Sequence, residues 1–362
     1  ITNEVYDIQS YMTVSKEIIA NDFFDIRLDE TGAFVSVFDK VNNREILKEG
    51  SRGNVLQVFE DMPQWVNDAW DINIYHNDKM WEVNDVRSIQ VLETGPVRST
   101  LRIERRFLDS VITQDISVYS DIDRIDFKTH IDWKEKFMLL KAAFPVDIHA
   151  NYATYDIQFG SIQRPNHWNT SWDYARFEVS GHKWADLSEG GYGVSILNDC
   201  KYGYDIKGDQ MRITLLKSAE YPSSADIGTH EFVYSLYPHA GGYHEGGTVY
   251  MGYRLNCPMY AFVSEAHTGT LPDVFSLCSV DQDNVIIETV KKAEYSNDII
   301  LRVYEAHNKK TNAEFTFFAK NIKVRECDLM ENEIGEIESK DGRFACVIKP
   351  FEIKTFKIAA VL

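Results

Sequence analysis

Apolar and polar residues alternate with a period of two wherever a period is legible along the chain. Phe24, Ile26 and Leu28 alternate with Asp25, Arg27 and Asp29. After Glu30-Thr31-Gly32-Ala33 the run Phe34-Val35-Ser36-Val37-Phe38 follows, which predicts a hairpin with a glycine in its loop. Val97, Ser99, Leu101 and Ile103 share one face opposite Arg98, Thr100, Arg102 and Glu104, and Ile112, Gln114, Ile116 and Val118 repeat the pattern after a short turn. Both runs predict half-buried antiparallel strands. Only the first twenty residues, around Ile8–Met12 and Lys16–Ile19, carry spacing suited to a short helix. Elsewhere nothing longer than a turn or two is predicted. Many short strands joined by Gly, Asn and Asp turns point to a mainly β protein of sandwich type, and the length calls for more than one sandwich.

The segment Ala266-His267-Thr268-Gly269-Thr270-Leu271-Pro272-Asp273 is small, polar and turn-rich, with a proline that interrupts ladder pairing. It divides the chain into a lead segment 1–20, a large sandwich 21–268 and a small C-terminal β-sandwich 269–362. The last portion holds Ile299-Ile300-Leu301, Phe315-Thr316-Phe317-Phe318 and Phe344-Ala345-Cys346-Val347-Ile348, short β-rich runs of the kind one compact sandwich uses.

The net charge of −18 repels phosphate backbones and anionic lipid, so neither nucleic acid nor a membrane surface is expected as a partner. No apolar run reaches the ~18 residues of a spanning helix. The five cysteines (Cys200, Cys257, Cys278, Cys327, Cys346) are odd in number and form no C-x-x-C pair, which predicts reduced, buried thiols and a cytoplasmic setting. The chain opens at Ile1 with no initiator methionine, so a piece of a longer protein is expected.

Motifs for metal and nucleophilic chemistry are weak. His130-Ile131-Asp132 places two ligand types on one strand face but lacks a third. The glycines in His239-Ala240-Gly241-Gly242-Tyr243-His244 suit a turn better than a rigid coordination shell. No metal site is expected in this chain. Gly190-Gly191-Tyr192-Gly193 has no strand-turn-helix setting for a dinucleotide and reads as a hairpin turn. The densest polar and aromatic stretch runs from Arg164-Pro165-Asn166-His167-Trp168-Asn169-Thr170-Ser171-Trp172-Asp173 to Trp184-Ala185-Asp186. Trp beside Arg, His, Asn and Asp suits a sugar-handling surface, since ring faces stack on C–H groups while planar polar groups meet hydroxyls. The same residues would also serve as core aromatics with a tied-down loop. Trp65-Val66-Asn67-Asp68-Ala69-Trp70-Asp71 has similar chemistry, with an Asx-type turn as the alternative. Neither stretch shows the opposed carboxylate pair of glycoside hydrolysis.

Several of these residues carry a family resemblance. Ser51–Asp61 with Asp68-Ala69-Trp70-Asp71-Ile72, then Leu139–Ile148, Arg164–Asp173, Gly193–Asp205, Tyr237–Gly241 and Pro350–Phe356 are similar, in this order, to the C-terminal region of glycoside hydrolase family 38 α-mannosidases, in particular their cytosolic and bacterial branch. The resemblance implies a large galactose-mutarotase-like β-supersandwich followed by the small sandwich. It also implies that the catalytic zinc and carboxylates sit on an N-terminal catalytic domain of the same polypeptide, absent here. No G-H-x-D motif stands in this chain: Thr129-His130-Ile131-Asp132 lacks the glycine and Gly181-His182-Lys183-Trp184 lacks the aspartate.

On that footing the chain is expected to be the non-catalytic part of a zinc-dependent retaining α-mannosidase acting on mannose-containing oligosaccharides, with self-association left open. Trp70, Asp71, Arg164, His167, Asn169, Trp172 and Asp173 are the expected contacts with substrate or catalytic domain. The rival expectation is a stand-alone carbohydrate-binding or sugar-epimerase-like domain, with His167 or His182 and Glu178 or Glu189 as its proton carriers.

Overall fold

The computed structural model describes residues 11–62, 68–221, 225–265, 268–270 and 272–360. It is mainly β, with strands paired antiparallel throughout the described residues. The chain divides into two units, one of Ile1–Asp156 with Gln163–Pro258, the other of Ile157–Ile162 with Met259–Leu362. The first unit thus ends at Pro258, between the helix Thr248–Asn256 and the strand Cys278–Val280.

In the first unit a five-stranded sheet begins the described chain. It includes the predicted hairpin, Phe24–Leu28 against Phe34–Asp39, with a register shift at Arg27/Leu28. The helix expected in the first twenty residues is not formed where the chain is described: Thr13–Val14 and Ile18–Ala20 are paired strands. Ile8-Gln9-Ser10 lies outside the described residues. With apolar positions this loosely spaced, a short isolated helix gains little, whereas pairing to the adjacent strand Phe24–Leu28 satisfies the backbone.

A nine-stranded and a six-stranded sheet form the body of this unit. Leu101, Ile103, Ile112, Ile116, Phe127, Val194 and Ile196 of the larger sheet share one core with Leu56, Val58, Leu140, Ala142, Phe144 and Ile213 of the smaller. The period-two pattern selects these residues, since every second side chain of a strand turns to the same face. His130 and Asp132 lie on the ordinary strand Ile125–Trp133, and Glu189–Tyr192 makes the expected turn between Trp184–Ser188 and Tyr192–Asn198. The helix Thr248–Asn256 is more than two turns long, unlike the expectation. It has no apolar run of its own and is stabilised by packing on the strands Trp184–Ser188 and Tyr192–Asn198.

The second unit is a small sandwich of four- and five-stranded sheets around Val285, Leu301, Val303, Phe315, Phe344, Phe356 and Ile358. All five thiols are free, but only Cys327 is buried. Cys200 and Cys257 are exposed because they sit in a turn and at a helix end, where no sheet covers them. No helix among the described residues is long and apolar enough to cross a membrane.

Candidate functional site: two loops over the outer face of the six-stranded sheet

Leu140, Ala142 and Phe144 point into the core, so Lys141 on the same strand points the opposite way, to the outer face of the six-stranded sheet. It is nevertheless wholly buried. A lone ammonium with no water costs several kcal/mol, so it has to be paired. Its Nζ bonds the Glu178 carboxylate and lies 3.3 Å from Asp205 Oδ2. Thr214 Oγ1 also donates to Glu178, and Arg212 donates to Asp205. Asp205, Arg212 and Thr214 come from neighbouring strands of the same face, while Glu178 ends the 164–179 loop.

His76 closes the cluster from above. It lies in the 3-10 turn Ile74–Asp78, donates from Nδ1 to Asn73 O at 2.9 Å and packs between the Phe59 and Phe177 rings at 5.3 and 6.0 Å. Its Nε2 is buried with no hydrogen-bond partner, and one of its ring nitrogens lies within 4.8 Å of carboxylate oxygens of both Glu178 and Asp205. Burial, with Lys141 nearby, holds the imidazole below its ordinary pKa. Among the described residues this is the only set with metal-ligand spacing. It does not fit an ion, because Lys141 and Arg212 already neutralise its two carboxylates and would repel a further cation.

The turn that follows the first polar-aromatic stretch thus meets the second through the His76 and Phe177 rings. Asp68 ties the first down by accepting the Glu220 and Tyr221 N–H groups at 2.7 Å each. Burial raises this carboxyl, but the two bonds outweigh it and leave it below its usual range. Trp70, 75% exposed, and Asp71 stand free of the core, while Trp65 lies outside the described residues. Asn166 anchors the second stretch through Ala150 O and Gly208 O at 2.8 and 2.9 Å. Thr170 then caps the one-turn helix Ser171–Tyr174. It accepts the Asp173 N–H at 3.2 Å and donates to Asp173 Oδ2 at 2.7 Å.

His167 Nδ1 is 3.8 Å from Asp173 Oδ2 and accepts the Asn169 N–H at 3.4 Å. Arg164 stacks on Tyr155 at 4.7 Å and donates to Ser180 O. Arg164, Trp168, Asp173, Phe177 and Asp205 line one small pocket. Trp168 carries Lys207 Nζ on its face at 3.3 Å, and Trp172 is 76% exposed. Of the tryptophans in this stretch, only Trp184 belongs to a packed interior. The structure therefore brings Arg164, His167, Asn169, Trp172 and Asp173 into one loop, and it uses Asp173 as a cap.

Two proton-carrier candidates are already committed. Glu178 is held as described, and Glu189 accepts from Arg44 Nη1 at 2.9 Å and from the His149 N–H at 3.1 Å. Sequence reasoning missed Lys141, although a lysine inside Leu139-Leu140-Lys141-Ala142-Ala143 is the available signal. It also missed His76, whose neighbours Phe59, Phe177, Glu178 and Asp205 come from distant parts of the chain.

Comparison with known proteins agrees with this architecture. Residues 19–225 match the glycosyl hydrolases family 38 C-terminal domain, and residues 284–356 match the glycosyl hydrolases family 38 C-terminal beta sandwich domain. The chain is 39% identical over 357 residues to alpha-mannosidase G of Dictyostelium discoideum, covering 94% of this chain and 32% of that protein. It is 31% identical over 367 residues to the alpha-mannosidase of Saccharomyces cerevisiae, covering 91% and 33%. The crystal structure of an alpha-mannosidase from Enterococcus faecalis V583 superposes with a TM-score of 0.80 at 16% identity, over 96% of this chain and 43% of that one, which shows a shared fold. The chain spans about a third of the length of these curated relatives. It belongs to glycosyl hydrolase family 38, as a C-terminal region of that family.

Proposed function

We propose that this chain is the non-catalytic C-terminal part of a zinc-dependent retaining α-mannosidase, and that its 164–179 loop helps to wall the cleft in which mannose-containing oligosaccharides are hydrolysed. The observation that carries the reading is the exposed Trp172 on a loop whose Glu178 is tied into a locked, charge-neutral base of Lys141, Glu178, Asp205 and Arg212. A rigid base holding aromatic rings in solvent is what a sugar-facing or domain-facing surface needs, because the rings lose little entropy when covered. The carboxylates of the loop support a positioning role: Asp173 is spent on the helix cap and Glu178 on Lys141.

Retaining hydrolysis needs a carboxylate nucleophile and a separate acid/base. In this reading both lie on the N-terminal catalytic domain with the zinc, which would be held by residues beyond this chain and would supply Lewis-acid polarisation there. This chain's residues position and shield the cleft. The 362-residue chain alone, with zinc added, is expected to release no p-nitrophenol from an aryl α-mannoside; zinc-dependent turnover would overturn the reading. In the full-length enzyme, Trp172→Ala is expected to raise KM by about tenfold, the loss of roughly one stacking contact.

The alternative, a stand-alone carbohydrate-binding or epimerase-like domain in the same cytoplasmic setting, predicts faster interconversion of α- and β-aldose than buffer gives. The commitment of Glu178 and Glu189 to Lys141 and Arg44 weighs against it.

A further inference from the structure

The outer face of the nine-stranded sheet carries a second concavity, of about 490 Å³. Strand alternation decides what reaches it. Tyr152 and Thr154, Gln163, and Asp186 with Ser188 turn to this concavity, whereas Tyr155, Arg164 and Ala185 on the same strands turn the other way. It is therefore a different surface from the one formed by the 164–179 loop.

Asp186 lines the concavity but is 2% exposed, with both of its oxygens already bonded within the protein, so it shapes the site from beneath. Asp186 Oδ1 accepts Ser188 Oγ–H at 2.6 Å, and Oδ2 accepts Ser195 Oγ–H and the His239 Nε2–H, both at 2.8 Å. Glu189 is held by Arg44, and Glu245 Oε2 accepts the Gly242 N–H at 3.0 Å. The Tyr152 ring, 53% exposed, offers an apolar face beside them. The volume falls within the ~300–1,000 Å³ of small-molecule sites.

Two features narrow the ligand. These carboxylates do not converge: no three of them come within the spacing that would hold one ion. Acceptors spread around a concavity suit several hydroxyls instead of a single cation. Glu189 and Glu245, against the one Arg44 guanidinium, also leave the rim negative, which disfavours phosphorylated or acidic ligands. We propose that this cleft is an accessory subsite for one uncharged hexose unit of an oligosaccharide. The proposal rests on the carbohydrate-handling function above and adds a site to it.

The test is a ligand-observed NMR or calorimetric titration of the 362-residue chain with methyl α-mannoside and with mannose 6-phosphate. Saturable binding in the millimolar range is expected for the neutral sugar, and binding at least about tenfold weaker for the phosphate. Tyr152→Ala and Gln163→Ala, at non-core positions, are each expected to weaken the neutral sugar about tenfold. Tyr295→Ala, an exposed position of the second unit, is expected to leave its affinity within about twofold. Absence of saturation up to ~50 mM, equal binding of the phosphate, or unchanged affinity in both cleft variants overturns the subsite. If binding is lost in Trp172→Ala and kept in the cleft variants, the sugar belongs to the 164–179 surface: the subsite fails while the proposed function stands. Hydrolysis of an aryl α-mannoside by the chain alone overturns the proposed function, while the subsite stands or falls on the titration.

Discussion

His239 Nε2 donates to Asp186 Oδ2 at 2.8 Å across an intervening strand, and Gly193 is what lets it through. In the register of the sheet, Gly193 pairs with His239 on one side and Ser188 on the other, while Asp186 lies two residues from Ser188. A β-carbon at position 193 would stand 2.2 Å from Ser188 Oγ and 2.4 Å from His239 Cε1. Gly246 closes the other side of the ring, with a β-carbon there meeting His239 Cγ at 2.4 Å. The glycines are needed for space around an imidazole, and at neither position is positive φ involved.

Gly193→Ala is accordingly expected to destabilise the first unit by about 2–4 kcal/mol, from overpacking plus loss of a buried charged hydrogen bond. Urea denaturation checks this, and Ser188→Gly added to it should recover only part, because the clash with His239 remains.

Lys141→Met removes the cation from beneath Glu178 and Asp205 and leaves two largely buried carboxylates with Arg212 as their remaining cation. A loss of about 3–5 kcal/mol is expected. Adding Glu178→Gln should restore stability, since the uncompensated charge is what costs most; a double variant as unstable as the single would contradict this account.

His76 sets a pH dependence. Its folded pKa lies below the unfolded value of about 6.5 because burial disfavours the charged ring. The unfolded chain therefore binds the proton first, and stability is full above about pH 6.5 and declines as the pH falls below it. In His76→Gln this part of the decline between pH 7 and 5 should vanish, as followed by midpoint shifts in denaturant.

Trp172→Ala should change stability by less than about 0.5 kcal/mol, because the ring is largely in solvent. Thr170→Ala, which uncaps the Ser171–Tyr174 turn, should cost about 1 kcal/mol of local order there. Circular dichroism melts and protease susceptibility at the loop separate the two effects.

Much of the fold was readable in advance. The alternation Phe24, Ile26, Leu28 and Leu101, Ile103, Ile112, Ile116 identifies core-facing positions, because a strand's period is a local property of the backbone. The Gly190-Gly191 turn and the polar-aromatic stretch Arg164–Asp173 follow from residue chemistry in the same way. Others were out of reach. Whether Asp68 or Asp71 matters depended on which one found the Glu220 and Tyr221 N–H groups, some 150 residues along the chain. The helix Thr248–Asn256 is held by strands it packs on, and Asp205 beside Lys141, Phe177 beside His76 and His239 beside Asp186 are each brought in from more than 50 residues away in the sequence. Period and turn chemistry are encoded residue by residue. A buried charge is explained only by its partners, and those are chosen when the sheets pair.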